Sequence, residues 1–136
     1  MLEYYVSFVT AMLFVHWVAD FVCQTDKMAK GKSSSIGELL KHLISYAVVF
    51  TVGTFLTALA LDGKGHSEWF FKDGFPAFWL FVIINAGSHF FIDYVTSRAS
   101  KLEFDRGNAG TAFKIIGFDQ FLHLAIMAVS LYYMVT

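Results

Sequence analysis

Four segments of this 136-residue chain, Tyr4–Cys23, Leu39–Leu61, Phe75–Val95 and Ile115–Val135, are apolar over the length needed to cross a bilayer core, which takes about 20 helical residues. A chain built this way has few choices. Inside a bilayer every backbone N–H and C=O must find its partner within the protein, so a spanning segment becomes a helix. The expected fold is all-α: a four-span transmembrane helical bundle forming a single membrane domain over residues 1–136. Composition agrees, with 57% hydrophobic and 15% charged residues, against roughly 25% charged in soluble domains. Pro76 falls in the first turn of the third segment, where its missing N–H costs little. The N-terminus has no basic region or small-residue cleavage site, so the first segment is expected to persist as a span.

Charge orients the bundle. The connection 24–38 and its margin carry Lys27, Lys30, Lys32 and Lys41, and the connection 96–114 carries Arg98, Lys101, Arg106 and Lys114. The middle connection, 62–74, has Lys64 and Lys72 offset by Asp62, Glu68 and Asp73. The positive-inside rule then places the first and third connections in the cytoplasm and both termini outside. Tyr4, Tyr5, Trp69, Trp79, Tyr132 and Tyr133 fall near the outer interface, as an aromatic belt would. A net charge of −1 predicts no nucleic-acid partner, and the single cysteine, Cys23, permits no intrachain disulfide.

Against this apolar background, eight ionisable residues stand out. His16 and Asp20, Glu38 and His42, His89 and Asp93, and Asp119 and His123 are four i, i+4 pairs, one per span, and that spacing puts both members on one helix face. The order His then Asp, acid then His, occurs once in each half, which suggests two repeated helix pairs related by an axis along the membrane normal. The orientation brings all four pairs to one band below the cytoplasmic surface. Gln24, Asn85 and Gln120 extend the same stripes.

His16-Trp-Val-Ala-Asp20-Phe-Val-Cys-Gln24, His42, His89-Phe-Phe-Ile-Asp93 and Asp119-Gln120-Phe-Leu-His123 together resemble a family of small integral membrane proteins of bacteria and phages, labelled domain of unknown function 3307. The resemblance covers nearly the whole chain. It implies a four-span protein of a bacterial inner membrane and supplies no reaction. The His and Asp usage also looks like that of membrane-bound metal-dependent hydrolases, an analogy of composition only.

The polar band needs a reason, since one Asp at the centre of a span costs about 2.5–3.5 kcal/mol to insert. Imidazoles and carboxylates converging from facing helices suit divalent Zn, Mn or Fe, as one ion or two. The expected metal ligands are His16, Asp20, His42, His89, Asp93, Asp119 and His123, with Glu38 and Asp119 as catalytic groups and Glu38 a general base at the rim. Gln24, Asn85 and Gln120 would steady the carboxylates. Such a centre would hydrolyse a phosphate ester, with a lipid-phosphate or prenyl-phosphate headgroup reaching it from the bilayer. Lys27, Lys32, Arg98 and Arg106 could steer that anion.

Other readings remain open at this point. The polar pairs could join helices as a structural or partner protein, though interhelical pairs contribute only about 0.6 kcal/mol each. A metal-ion or proton transporter would need polar residues through the outer half, where Ser7, Thr10, Thr51, Thr54, Thr57 and Ser130 are all there is. A bis-His haem fits poorly, because each His has a carboxylate one turn away. Gly31-Lys32-Ser33 lacks the preceding Gly and strand of a phosphate-binding loop. Gly107 to Gly110 reads as a turn, and His66 as an exposed loop residue.

Overall fold

A computed structural model describes residues 2–62 and 76–135. Helix α1 (Leu2–Trp17) runs into a π-helical turn (Val18–Val22), followed by the short α2 (Asp26–Gly31), then α3 (Ile36–Asp62), α4 (Pro76–Asp105) and α5 (Ala109–Val135). Among the described residues there is no strand. Four of these helices, counting α1 with its π turn as one, are long and apolar enough to cross a membrane. Their outward faces are apolar too. Phe14, Ile44, Phe91 and Phe121 are 61–70% exposed, which would be costly in water, where burying such a side chain is worth about 1.5–3 kcal/mol. Length, composition and this apolar girdle support an integral membrane protein.

Each spanning helix buries one stripe, and that stripe changes character along its length. On α1, Tyr4, Phe8 and Met12 are followed at the same spacing by His16 and Asp20, all buried. The same holds for Phe50, Tyr46 and His42 on α3, for Phe81, Asn85, His89 and Asp93 on α4, and for Leu131, Met127, His123 and Asp119 on α5. One end of the bundle is therefore a close-packed aromatic and aliphatic core. In it Phe81 meets Phe8 edge-on at 6.0 Å and stacks on Phe50 at 5.7 Å. The other end is polar. Between α1 and α3 the backbones approach closely at Gly53, where an added Cβ would lie 2.4 Å from Val15 Cγ1. Tyr5 ties α1 to α5 by donating its hydroxyl to the Ala128 carbonyl at 2.9 Å.

The structure departs from the sequence expectation at the connections. The polar stretch 96–114 is almost entirely helical, and only residues 106–108 separate α4 from α5. Its charges pair along the helix, Lys101 with Asp105 at 2.5 Å and Arg106 with Glu103 at 2.8 Å, so the helices continue where the apolar pattern stops. The turn closes as a Schellman motif: Gly107 N–H donates to Phe104 O at 3.0 Å and Asn108 N–H to Glu103 O at 2.8 Å, with Gly107 at φ 78°. The stretch 24–38 is likewise structured. Thr25 caps α2 by accepting from Met28 N–H at 3.3 Å, and Ser35 caps α3 by accepting from Glu38 N–H at 3.4 Å.

Tyr4, expected in an aromatic belt, is instead 1% exposed and part of the core, whereas Trp79, Tyr132 and Tyr133 are exposed. Trp69, His66, Lys64, Lys72, Glu68 and Asp73 lie outside the described residues.

Candidate metal centre

The polar ends of the four stripes meet. At the end of α1 the helix widens into the π turn, closed by Cys23 N–H donating to Val18 O at 2.9 Å, and Asp20 sits inside that turn. Such widened turns are frequent at functional sites. Ser45 on α3 donates to Cys23 O at 3.0 Å, fixing the turn against its neighbour.

Asp20, His42, His89 and Asp93 each offer one ligand atom within 4.8 Å of the others. His42 Nε2 is 3.0 Å from His89 Nε2, 3.1 Å from Asp20 Oδ1 and 3.2 Å from Asp93 Oδ2. His89 Nε2 is 3.6 Å from Asp20 Oδ1 and 3.7 Å from Asp93 Oδ2. A tetrahedral ion with bonds of about 2.0–2.1 Å holds its donor atoms about 3.3 Å apart, so these separations fit the edges of one coordination tetrahedron. Asp20 Oδ1 is buried and makes no hydrogen bond among the described residues, although a ring nitrogen approaches it. An unpartnered carboxylate oxygen is expensive to bury, and an ion would satisfy it.

Asp93, Asp119 and His123 form a second group that shares Asp93. His123 Nε2 lies 3.4 Å from Asp93 Oδ1 and 3.5 Å from Asp119 Oδ2, and it too is buried with no hydrogen bond among the described residues. Asp93 thus turns one oxygen to each group.

Gln120 braces the carboxylates, donating to Asp20 Oδ2 at 2.8 Å and to Asp119 Oδ2 at 2.9 Å. Thr96 donates to Asp119 Oδ1. His16 lies outside both ligand groups. Its Nδ1 meets the Tyr46 hydroxyl at 3.1 Å, its Nε2 meets Gln120 Oε1 at 3.2 Å, and its nearest carboxylate oxygen, on Asp20, is 3.9 Å away. It supports Gln120 from behind. Tyr46 also stacks flat on the His89 ring, with centroids 3.7 Å apart.

Three further residues do not make the contacts expected of them. Glu38 lies beneath the end of α2, 2.8 Å from Lys41 Nζ and 3.8 Å from Lys27 Nζ and apart from both ligand groups, because the Ser35 cap starts α3 at the rim rather than within the band. Gln24 falls beyond the π turn, where the helix has ended, so the i, i+4 register from Asp20 no longer applies. Its Oε1 is buried and makes no hydrogen bond among the described residues. Asn85 joins α4 to α5 by donating to Ser130 Oγ at 3.1 Å and bonds no carboxylate among the described residues.

Lys32 enters the cluster from the α2–α3 connection. Its ammonium donates to Asp93 Oδ2 at 2.7 Å, with the Lys32 side chain 17% exposed. Gly31 makes this possible: an added Cβ there would lie 2.7 Å from Glu38 Cγ, so the end of α2 rests directly on α3. Burial by itself would lower the Lys32 pKa, but the adjacent Asp93 and Asp20 carboxylates outweigh it and raise the value above the usual lysine range. The sequence shows Lys32 only as one of several lysines in a basic connection. Tyr46 was more accessible, lying one turn from His42 on the same stripe. Three buried carboxylates, Asp20, Asp93 and Asp119, share this end of the bundle with one ammonium, which pairs with Asp93.

Beside the cluster lies a cavity of about 430 Å³, walled by Asp20, Asp93, Asp119, Gln24 and Lys32, with Lys30 and Lys101 toward its mouth and Phe21, Phe104 and Ile116 as apolar surface.

No curated protein and no solved structure matches the chain. A family profile described as "Protein of unknown function (DUF3307)" matches residues 8–136, a span that takes in α1 from Phe8 onward, α3, α4 and α5, and every member of the polar cluster from His16 to His123. The chain belongs to the DUF3307 family.

Proposed function

We propose that the protein is a membrane-embedded, divalent-metal-dependent hydrolase of phosphate esters, with its site opening at the cytoplasmic face. The observation that supports it most is the position of Asp93, common to both ligand groups and to the wall of a cavity that also presents lysines. Asp20, His42, His89 and Asp93 would hold one ion, and Asp93, Asp119 and His123 a second. These nitrogen and oxygen donors suit Zn²⁺, Mn²⁺ or Fe²⁺. A divalent ion there supplies charge neutralisation and water activation. The protein's own part is to orient the donors through Gln120 and Thr96 and to keep the opposite end dry. Water adds to phosphorus as the ester P–O bond breaks. Asp119, on the cavity wall, takes the proton from water and returns it to the departing alcohol oxygen.

The lysines and arginines on α2, the start of α3, the end of α4 and the start of α5 gather at the polar end, which is why that end is assigned to the cytoplasm. A transport path is less favoured. Beyond the cluster the bundle interior is mainly Phe8, Met12, Phe50 and Phe81, and its buried Thr54 and Ser130 hydroxyls donate to the Phe50 and Met127 carbonyls, whereas a conducted ion needs polar partners along its path.

Elemental analysis of protein purified in neutral detergent, alongside phosphate release from lipid phosphomonoesters, tests the reading. Bound divalent metal and phosphate release that both vanish in Asp93→Asn support it. Metal-free wild-type protein, or an Asp93→Asn variant as active as wild type, overturns it.

A further inference from the structure

We infer that Lys32 is the anion-recognising residue of this site, and that the ligand it selects is a tetrahedral oxyanion, a phosphate group whose remainder can lie against apolar surface. The inference rests on the hydrolase reading for its chemistry, while the ligand class comes from how the cavity wall is committed.

Most polar side chains on that wall have their hydrogen bonds turned inward. Thr96 is used on Asp119 and on the Ile92 carbonyl, Ser97 on the Asp93 carbonyl at 2.5 Å, and Ser100 on the Ser97 carbonyl at 3.1 Å. Lys101, at the mouth, is paired with Asp105 at 2.5 Å and is about half exposed. Lys30 and Lys101 also line the cavity but are exposed to solvent, and the carboxylates are the proposed metal donors; of the other wall residues, Lys32 and Gln24 have capacity left. The Lys32 ammonium has three donors, and a single hydrogen bond, to Asp93 Oδ2, engages it among the described residues. Gln24 Oε1 is a buried acceptor with no hydrogen bond among the described residues. Lys32 therefore offers positive donors beside the carboxylates, and Gln24 an acceptor suited to a protonated phosphate oxygen or a ligand hydroxyl.

Position favours Lys32 over the other lysines. It is largely buried, so its charge is weakly screened, and it bonds the carboxylate that belongs to both ligand groups. An oxyanion bound to ions at Asp93 would lie within reach of the same ammonium, which would join metal ligand to substrate. A neutral ester could accept a hydrogen bond from the ammonium but would lack the charge attraction. Phe21, Phe104 and Ile116 on the same wall suit an apolar remainder.

Equilibrium binding to the metal-loaded protein tests this, with inorganic phosphate in one arm and phosphatidic acid in neutral-detergent micelles in the other. Lys32→Met is expected to weaken binding on the order of 10- to 100-fold while retaining its metal, with Lys32→Arg recovering part of the loss and Lys114→Met, exposed at the start of α5, behaving as wild type. Loss in both arms supports phosphate recognition in general. Binding of phosphatidic acid alone, weakened by Lys32→Met, supports the lipid source. Unchanged affinity in a metal-loaded Lys32→Met protein overturns the inference and leaves the hydrolase reading standing. Lys32-dependent phosphate binding by protein that takes up no metal would sustain the inference and overturn the hydrolase reading.

Discussion

His42 Nε2 and His89 Nε2, on adjacent helices, face each other at 3.0 Å with carboxylate oxygens of Asp20 and Asp93 around them. Two neutral imidazoles can share one proton at that distance. That bond alone leaves Asp20 Oδ1 buried with no hydrogen-bond partner among the described residues. Placing a cation among all four atoms resolves both features together.

Asp93 and Asp119 differ in what they serve, so their variants should separate the two groups. Asp93→Asn is expected to abolish binding of both ions, because each group draws on it. Asp119→Asn should leave the group of Asp20, His42, His89 and Asp93 able to bind one. Metal-to-protein ratios from elemental analysis check this, and equal losses in the two variants would contradict it.

Gln120 holds two carboxylates at once. Gln120→Ala should keep the ligands but lower metal affinity about 10- to 100-fold, the range seen when residues supporting metal ligands are removed. Competition titration against a chelator of known affinity reads the change. His16→Ala, one step further back, should have a smaller effect in the same direction.

Removing metal should destabilise the fold. Saturation at about 100 times the dissociation constant contributes about 2.7 kcal/mol. A chelator is thus expected to lower the unfolding temperature of the wild type, and much less that of Asp93→Asn. Coincident melting curves with and without chelator would count against a bound ion.

Lys32 and a metal ion both offset the charge on Asp93. In chelated protein, Lys32→Met leaves that carboxylate short of a partner and should cost up to about 3–5 kcal/mol, less when metal is present. The sign with pH follows from the raised Lys32 pKa. The contribution is fully present below the ordinary value of 10.5 and is lost as pH rises past it. The stability difference between the chelated wild type and the variant should therefore stay level across about pH 6 to 9.

Gly53 is set by contact rather than by conformation. Gly53→Ala would drive a Cβ into Val15 and should cost about 1–3 kcal/mol, with Val15→Ala in the same chain restoring much of the loss. A double-mutant cycle of unfolding free energies measures the coupling, and additive effects would refute the close approach.

Much of the fold and most of the cluster were legible in the chain because they follow from local rules. Apolar length dictates spanning helices, and i, i+4 spacing dictates shared faces, so Asp20, His42, His89, Asp93, Asp119 and His123 could be placed on inward stripes before any packing was known. The helical ends around 96–114 were hidden, since charges that pair along a helix read locally like a loop. Pairing at the site was beyond the sequence altogether. The within-helix pairs stand at 3.5, 3.7 and 3.9 Å, whereas His42 reaches His89, Asp20 and Asp93 across helices at 3.0–3.2 Å. Side chains one turn apart are held about 5–6 Å apart at Cβ by the helix itself, while those at one depth on facing helices can converge as closely as packing allows. The same reason separates Glu38 from the cluster and brings Lys32 into it: the caps at Thr25 and Ser35 and the contact of Gly31 with Glu38 decide which side chain points inward. The sequence by itself determined four inward stripes and the residue types on them. Tertiary packing alone decided which of those residues share an ion-sized space.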